Sequence, residues 1–351
     1  MPVDAATIQA GIDSALAGDV VEIACGTYYE HDLLMKSGIS LRSESGTPDC
    51  VTIDAQYFSR VMRGHALAKD TVISGITFRN GGAELAGGGI YCDYSSPLIE
   101  NCEFRNHQVG NRSGAAICWD HGSVRILGCG FFDNDSVSNG GAIFCSSCDD
   151  VLISGCYFGN NYAEASGAVE LTICGAGQVE GCVFFDNETF SPSSFGSSVL
   201  STSATPLAIS RCTFADNIGH NDGVGVIFCG DAPLSIERCI IAENIGKPIT
   251  ISSGTFLIEC CDFYGNSGGD WVDSYTAWTG IHGNFSANPC FCDLLAGDLE
   301  LAADSYCLSG NHPWGCDDLV GALPAGCAAV GCSGPVATEA RSWGMVKSLY
   351  R

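Results

Sequence analysis

Short runs of alternating apolar and polar residues fill most of this chain, and one such run returns at a near-constant interval. Between Ile73 and Asn266 a Cys recurs at Cys102, Cys129, Cys156, Cys182, Cys212, Cys239 and Cys261, in steps of 27, 27, 26, 30, 27 and 22 residues. Three residues before each stands an Ile or Val (Ile99 to Ile258), and two residues after it a Phe, once an Ile (Phe104 to Phe263). Alternation is the strand period, so Val151–Ile153 and Cys156–Phe158 read as two short strands with a bend between them. A third strand follows the small-residue turns at Gly88-Gly89-Ile90, Ala115-Ala116-Ile117, Gly141-Ala142-Ile143 and Gly167-Ala168-Val169, in phase with the Cys positions. Asn134, Asn161, Asn187, Asn217, Asn244 and Asn266 close their units at the fifth position after the Cys. Asn suits a turn there, because its amide can bond its own backbone and the Asn of the next unit.

A period near 27 residues is too short for a four-stranded propeller blade of roughly 40–45. It predicts an all-β fold, a parallel β-helix solenoid of about ten coils, because a unit this small buries its apolar face only against its neighbours. Like residues should then stack roughly 4.8 Å apart, with Ile, Cys and Phe columns as the core. At the start, residues 5–18 carry Ile8, Ile12 and Leu16 at helical spacing, with Asp4 as N-cap and Gly18 as stop. That helix would cover the open end of the first coil. The expected organisation is a capping helix at 1–19, the β-helix at 20–289, a Cys-rich C-terminal cap at 290–333, and a linker to a further domain at 334–351.

Charge narrows the partners. The net charge is −25 with pI near 4.3, so no basic patch exists to neutralise phosphates and nucleic acid is excluded as a partner. Calcium, or a neutral or cationic surface, suits the chain better. No apolar run approaches 18 residues, which argues against membrane insertion. The 22 Cys divide into those of the repeat, read as small core residues, and those in loop-like sequence: Cys25 with Cys50, and Cys290, Cys292, Cys307, Cys316, Cys327 and Cys332. The second group predicts stapling disulfides, hence a secreted or cell-surface location, with a secretion signal expected ahead of Met1. Zinc competes poorly, since Cys290-x-Cys292 has no second pair at ligand spacing.

The Gly-Gly-Ala-Ile at 140–143 followed by Phe-x-x-Asn at 158–161 resembles the paired motifs of chlamydial polymorphic outer-membrane proteins. The whole of residues 5–290 resembles the pectate-lyase-like superfamily of right-handed β-helices, and Thr7-Ile8-Gln9-Ala10 with Gly26-Thr27-Tyr28-Tyr29-Glu30 resembles the opening of pectinesterases. The final segment resembles the linkers that lead to sorting domains in secreted bacterial β-helix proteins. These resemblances imply fold more than function. Of the elements expected in polygalacturonase-like hydrolases only an Asp-Asp pair, Asp149-Asp150, is present, and the basic cluster of a pectate-lyase-like β-elimination is missing.

The candidate sites are therefore few. Asp149 and Asp150 could hold calcium. Asp135, Glu164, Glu188 and Asp222, with His107 and His220, lie in the turns near the Asn positions, where carboxylates one or two coils apart would approach glycosidase spacings. The segment Ser267–Gly283 concentrates aromatic residues, and Asp270, Trp271, Asp273, Tyr275 and Trp278 could stack on and hydrogen-bond a polysaccharide or cell-surface glycan, or else close the core of the last coil. Tyr91, Phe144 and Phe228 should form an outward apolar stripe suited to self-association. The function expected is a secreted or surface-displayed rod binding carbohydrate or a cell-surface partner without catalysis. The alternatives are a polysaccharide lyase or glycoside hydrolase, and a self-assembling structural subunit.

Overall fold

The computed structural model describes residues 5–82, 86–110, 113–190, 198–219, 225–312 and 315–332. Three parallel sheets of 17, 10 and 5 strands wrap around one interior, and the ten-stranded sheet counts the coils. Residues one repeat apart are register partners: Ile99 with Ile126, and Phe104 with Phe131, Phe131 with Phe158, Phe158 with Phe184. Cys129 and Cys156 are both buried in that interior. The coil is thus the expected one, with one addition. Besides the three strands read from sequence, the middle coils carry a fourth segment of two residues: Gln108–Val109, Asp135–Ser136, Tyr162–Ala163, Glu188–Thr189 and Ile218–Gly219. Two residues are too few for an alternation signal.

The corners explain much of the sequence. Each bend requires a left-handed residue, with φ between 46° and 62° at the positions named here. Asn101, Gly128, Gly155 and Gly181 precede the recurring Cys, Asp133, Asn160, Asp186 and Asp216 precede the recurring Asn, and Tyr94, His121, Ser147 and Ile173 bend the long sheet. Gly meets this demand because it has no Cβ, and Asn or Asp because a short polar side chain tolerates it. Just past the first corner the Cys amide has no strand partner. The thiol of the next coil accepts it, as in Cys102 to Cys129 at 3.5 Å and Cys129 to Cys156 at 3.4 Å. Each thiol in turn lies within donating reach of a carbonyl two residues back, as Cys156 Sγ does of Ser154 O at 3.4 Å. A small side chain that both accepts and donates is what the position needs, and Cys supplies it while staying apolar.

Both ends are closed. The helix is shorter than expected, Ile8–Ser14, capped by the Thr7 hydroxyl, and Leu16 lies beyond it and is exposed. Ala15 turns to extended backbone, which takes Leu16 off the apolar face; Asp4 falls outside the described residues. Glu30 accepts the amides of Ile8 and Gln9, and Gln9 both donates to and accepts from the backbone of Leu34, so its side chain covers an otherwise unpaired strand edge. At the other end the Phe column (ring centroids 5.1 to 4.4 Å apart from Phe78 to Phe214) finishes with Trp271 on Phe263 at 4.3 Å.

The Cys-rich segment is tied by Cys260–Cys316, Cys290–Cys332 and Cys292–Cys327, with Cys25–Cys50 at the first coils. Cys307, expected in this set, is instead a free, fully buried thiol, its Sγ 3.3 Å from the Asp262 carboxylate. Cys260, outside that set, pairs in its place: it occupies a left-handed corner whose side chain points away from the core. The segment reaches the last coil through Cys260–Cys316 and through His312, whose ring meets Phe285 edge-on at 4.6 Å. It folds back along the outer face of the ten-stranded sheet, where Leu299 packs on Val183 and Ala215, while Leu301 and Val320 pack on Ile240 and Ala242. The residues from 334 onward fall outside the described residues.

Candidate functional site

The aromatic segment near the C-terminal end is largely spent on closing the rod. Asp270 is buried and accepts the amides of Gly265 and Asn266 and the side-chain amide of Asn266, ending the Asn column. Burial raises its carboxyl pKa, against those hydrogen bonds. Trp271 is half-buried and donates its indole N–H to Phe285 O at 3.1 Å. Tyr275 is buried, its hydroxyl on Ile249 O. Asp273 and Trp278 are left: Asp273 is exposed and paired with Lys247 at 2.8 Å, and Trp278 is half-exposed between Phe256 and His282. Of the five residues, Asp270 and Tyr275 are withdrawn from solvent, while Asp273, Trp278 and part of Trp271 keep a face toward it.

Asp149 and Asp150 are exposed, at a bulge where Gly122 and Ser123 pair with Cys148 and Asp150 and leave Asp149 over. Asp150 accepts the Ser123 hydroxyl at 2.7 Å, and neither carboxylate joins a cluster of three metal-ligating groups among the described residues. Tyr91, Phe144 and Phe228 do share one outward column with half-exposed rings, but Cys118, Glu170 and Ser201 stand between them in register. The stripe is therefore interrupted, and the Arg60 guanidinium lies 4.8 Å over the Tyr91 ring.

His107 belongs to the core. It replaces Asn at the first position of the Asn column and is fully buried. Its Nδ1 accepts the Gly81 amide at 2.9 Å, and its Nε2 lies 3.1 Å from Phe78 O. Asn134 does the same two jobs one coil on, accepting the His107 amide and donating to Phe104 O. Burial pushes the imidazole pKa down to about 3, so it stays neutral at ordinary pH. His220 and Asp222 fall outside the described residues, and Glu164 is exposed beside the turns.

The remaining turn carboxylates come together. A groove of ≈ 480 Å³ runs across the short sheet and its corner, lined by Asn106, Gln108, Asp133, Asp135, Asn160, Tyr162 and Glu188. Gln108, Asp135, Tyr162 and Glu188 are register partners in four successive coils, which sets them roughly 4.8 Å apart in one outward row. Asp133 and Asn160 form a second row on the left-handed corner, joined by a 2.6 Å hydrogen bond from the Asn160 amide. Tyr162 stacks on Phe190 at 4.8 Å. Burial raises the Asp135 carboxyl pKa above the ordinary carboxylate range. Sequence singled out Asp135 and Glu188 but missed their neighbours, because the two-residue strands that align them leave no periodic trace. A second, mainly apolar hollow of ≈ 390 Å³, bounded by Ala176, Pro206, Ala208, Pro233 and Leu257, holds no charged group.

No curated protein sequence shows a significant match to the chain. A model of the right-handed β-helix region matches it twice in overlapping registers, over residues 34–207 and 88–263, as expected of a repeat that can be laid on itself one or more coils out of step. With parallel coils, stacked Ile, Cys and Phe columns and two matches that together cover residues 34–263, about two thirds of its length, the chain belongs to the right-handed β-helix family.

Proposed function

We propose that this protein is a secreted or surface-displayed β-helix rod that binds a neutral glycan along the groove of the short sheet, without catalysing a reaction. The observation that carries this reading is the row Gln108–Asp135–Tyr162–Glu188, which sets one aromatic face among three hydrogen-bonding groups, one residue per coil step. Sugar hydroxyls need such acceptors, and a pyranose face needs a flat apolar partner, here Tyr162 with Phe190. Acidic polysaccharides fit poorly, since Asp133, Asp135 and Glu188 line the groove and the chain carries −25 overall. Four disulfides support an oxidising, extracellular setting.

A glycan array carrying neutral and uronic-acid oligosaccharides tests this. Neutral oligosaccharides should be retained, and Tyr162→Ala and Asp135→Asn should each weaken binding at least about 10-fold. Retention of uronic-acid ligands, or of none, would end the proposal. If Trp278→Ala, and not Tyr162→Ala, abolishes binding, the site is instead the end segment with Asp273 and Trp278.

A second reading rests on Asp135 itself. Its carboxyl is held toward the protonated form, and Glu188 follows two coils on, roughly 9.6 Å along the row, near the upper end of inverting-glycosidase separations. New reducing ends from a neutral polysaccharide, lost in Asp135→Asn, would favour it over pure binding.

A further inference from the structure

The left-handed bend of the long sheet gathers a group of side chains that neither the glycan groove nor the core uses. Asp93 and Asp120 are register partners in successive coils, and His65 is the partner of Asp93 one coil earlier. The next residue along the chain, at the bend itself, is Tyr94 in one coil and His121 in the following one, with φ of 46° and 62°. The bend thus places two columns side by side, one of carboxylates and one of rings. A carboxylate oxygen from each Asp and an imidazole nitrogen of His121 all lie within 4.8 Å of one another.

Three features of this corner point beyond ordinary ion pairing. Two carboxylates stacked one coil apart repel each other in a chain that already carries −25, and a cation between them removes that cost. On the half-exposed His121 side chain, Nδ1 is shielded from solvent and lies 3.0 Å from Asp120 Oδ1 without the alignment of a hydrogen bond, so the imidazole nitrogen and the carboxylate oxygen face the same space. The outer supports are also present. His65 Nδ1 reaches Asp93 Oδ2 at 3.0 Å, and Tyr94 stacks on the His121 ring at 4.4 Å and 13°. Metal ligands are commonly held by such outer contacts.

We propose that Asp93, Asp120 and His121 form a binding site for a divalent first-row transition cation, with His65 orienting Asp93 and Tyr94 orienting His121. One imidazole and two carboxylates suit zinc or manganese, with solvent filling the remaining positions. Calcium, which takes six to eight oxygens, is a poor match for three protein donors that include a nitrogen. The corner lies on the long sheet and shares no residue with the short-sheet groove, so the two sites stand or fall separately.

Zinc titration of tag-free, chelator-stripped protein by calorimetry tests the site, with cobalt absorption spectra as a second readout. One equivalent should bind, cobalt should develop visible ligand-field bands, and zinc should raise Tm. His121→Ala and Asp120→Asn should abolish all three effects while leaving the circular dichroism spectrum unchanged, and His65→Ala should weaken binding about 10-fold. Absence of saturation near one equivalent, or wild-type titration by a folded His121→Ala variant, would overturn the proposal.

Discussion

At the scale of single residues, His107 is the most instructive. The imidazole copies an Asn amide, with Nδ1 accepting from the Gly81 amide and Nε2 facing Phe78 O. This works only while the ring is neutral. Burial holds its pKa at about 3, against an ordinary value of 6.5, so below pH 6.5 the unfolded chain takes up a proton that the folded chain refuses. The depressed group contributes stability that is present above pH 6.5 and lost as pH falls toward 3. His107→Asn keeps both hydrogen bonds and removes the titration. Its Tm relative to wild type should therefore rise as pH drops from 7 to 4, and a constant difference across that range would contradict this account. Asp262 behaves in the opposite sense. Burial raises its carboxyl pKa, so its cost grows as pH rises above the usual carboxylate range. Asp262→Asn should stabilise the protein at pH 8 but hardly at pH 4, as read by thermal melts.

At the scale of the coil, stability is a matter of columns. Asn161 accepts the amide of Asn134 and its side-chain amide at 2.8 Å, and donates to Phe131 O at 3.0 Å. Asn161→Ala would strand all of these groups in a dry interior, costing about 2–5 kcal/mol. Urea unfolding should show that loss as a lower midpoint; a change under about 1 kcal/mol would mean that water takes the amide's place. These columns are also why the fold was readable. Ile, Cys, Phe and Asn recur because each fills a position whose environment is the same in every coil, and periodicity reports such positions directly. The groove was legible only in part. Asp135 and Glu188 stood out as acidic turn residues, but what aligns them with Tyr162 is a two-residue strand, too short to print a pattern. The His65, Asp93, Asp120 and His121 corner was invisible for a related reason: its members come from three different coils, and neither Asp nor His persists through the column long enough to show as a repeat. The aromatic end segment was conspicuous in composition, yet composition cannot tell a ring that faces a ligand from one that seals a core.

At the scale of the whole molecule, the rod is a one-dimensional stack with two different closures, and coils should fail from an end rather than all together. Trp271 closes the C-terminal end by stacking on Phe263 and bonding Phe285 O. Trp271→Ala should cost about 3 kcal/mol locally. Hydrogen exchange should then quicken first at Asp262–Tyr264 and Ile240–Ala242, leaving Glu103–Arg105 and Tyr157–Gly159 protected; uniform loss of protection would mean that the rod unfolds as one unit. The interior has a further consequence for how such a molecule lasts. It holds most of the fourteen buried thiols that stand outside the chain's four disulfides. In an oxidising compartment those sulfurs keep their identity only because oxidants cannot reach them. An excursion that opens several coils would expose them to cross-linking and shuffling, and the original pairing would rarely be regained. In such a compartment, losing shape would be a chemical event with no return path, and slow opening would guard the molecule better than a deep energy minimum.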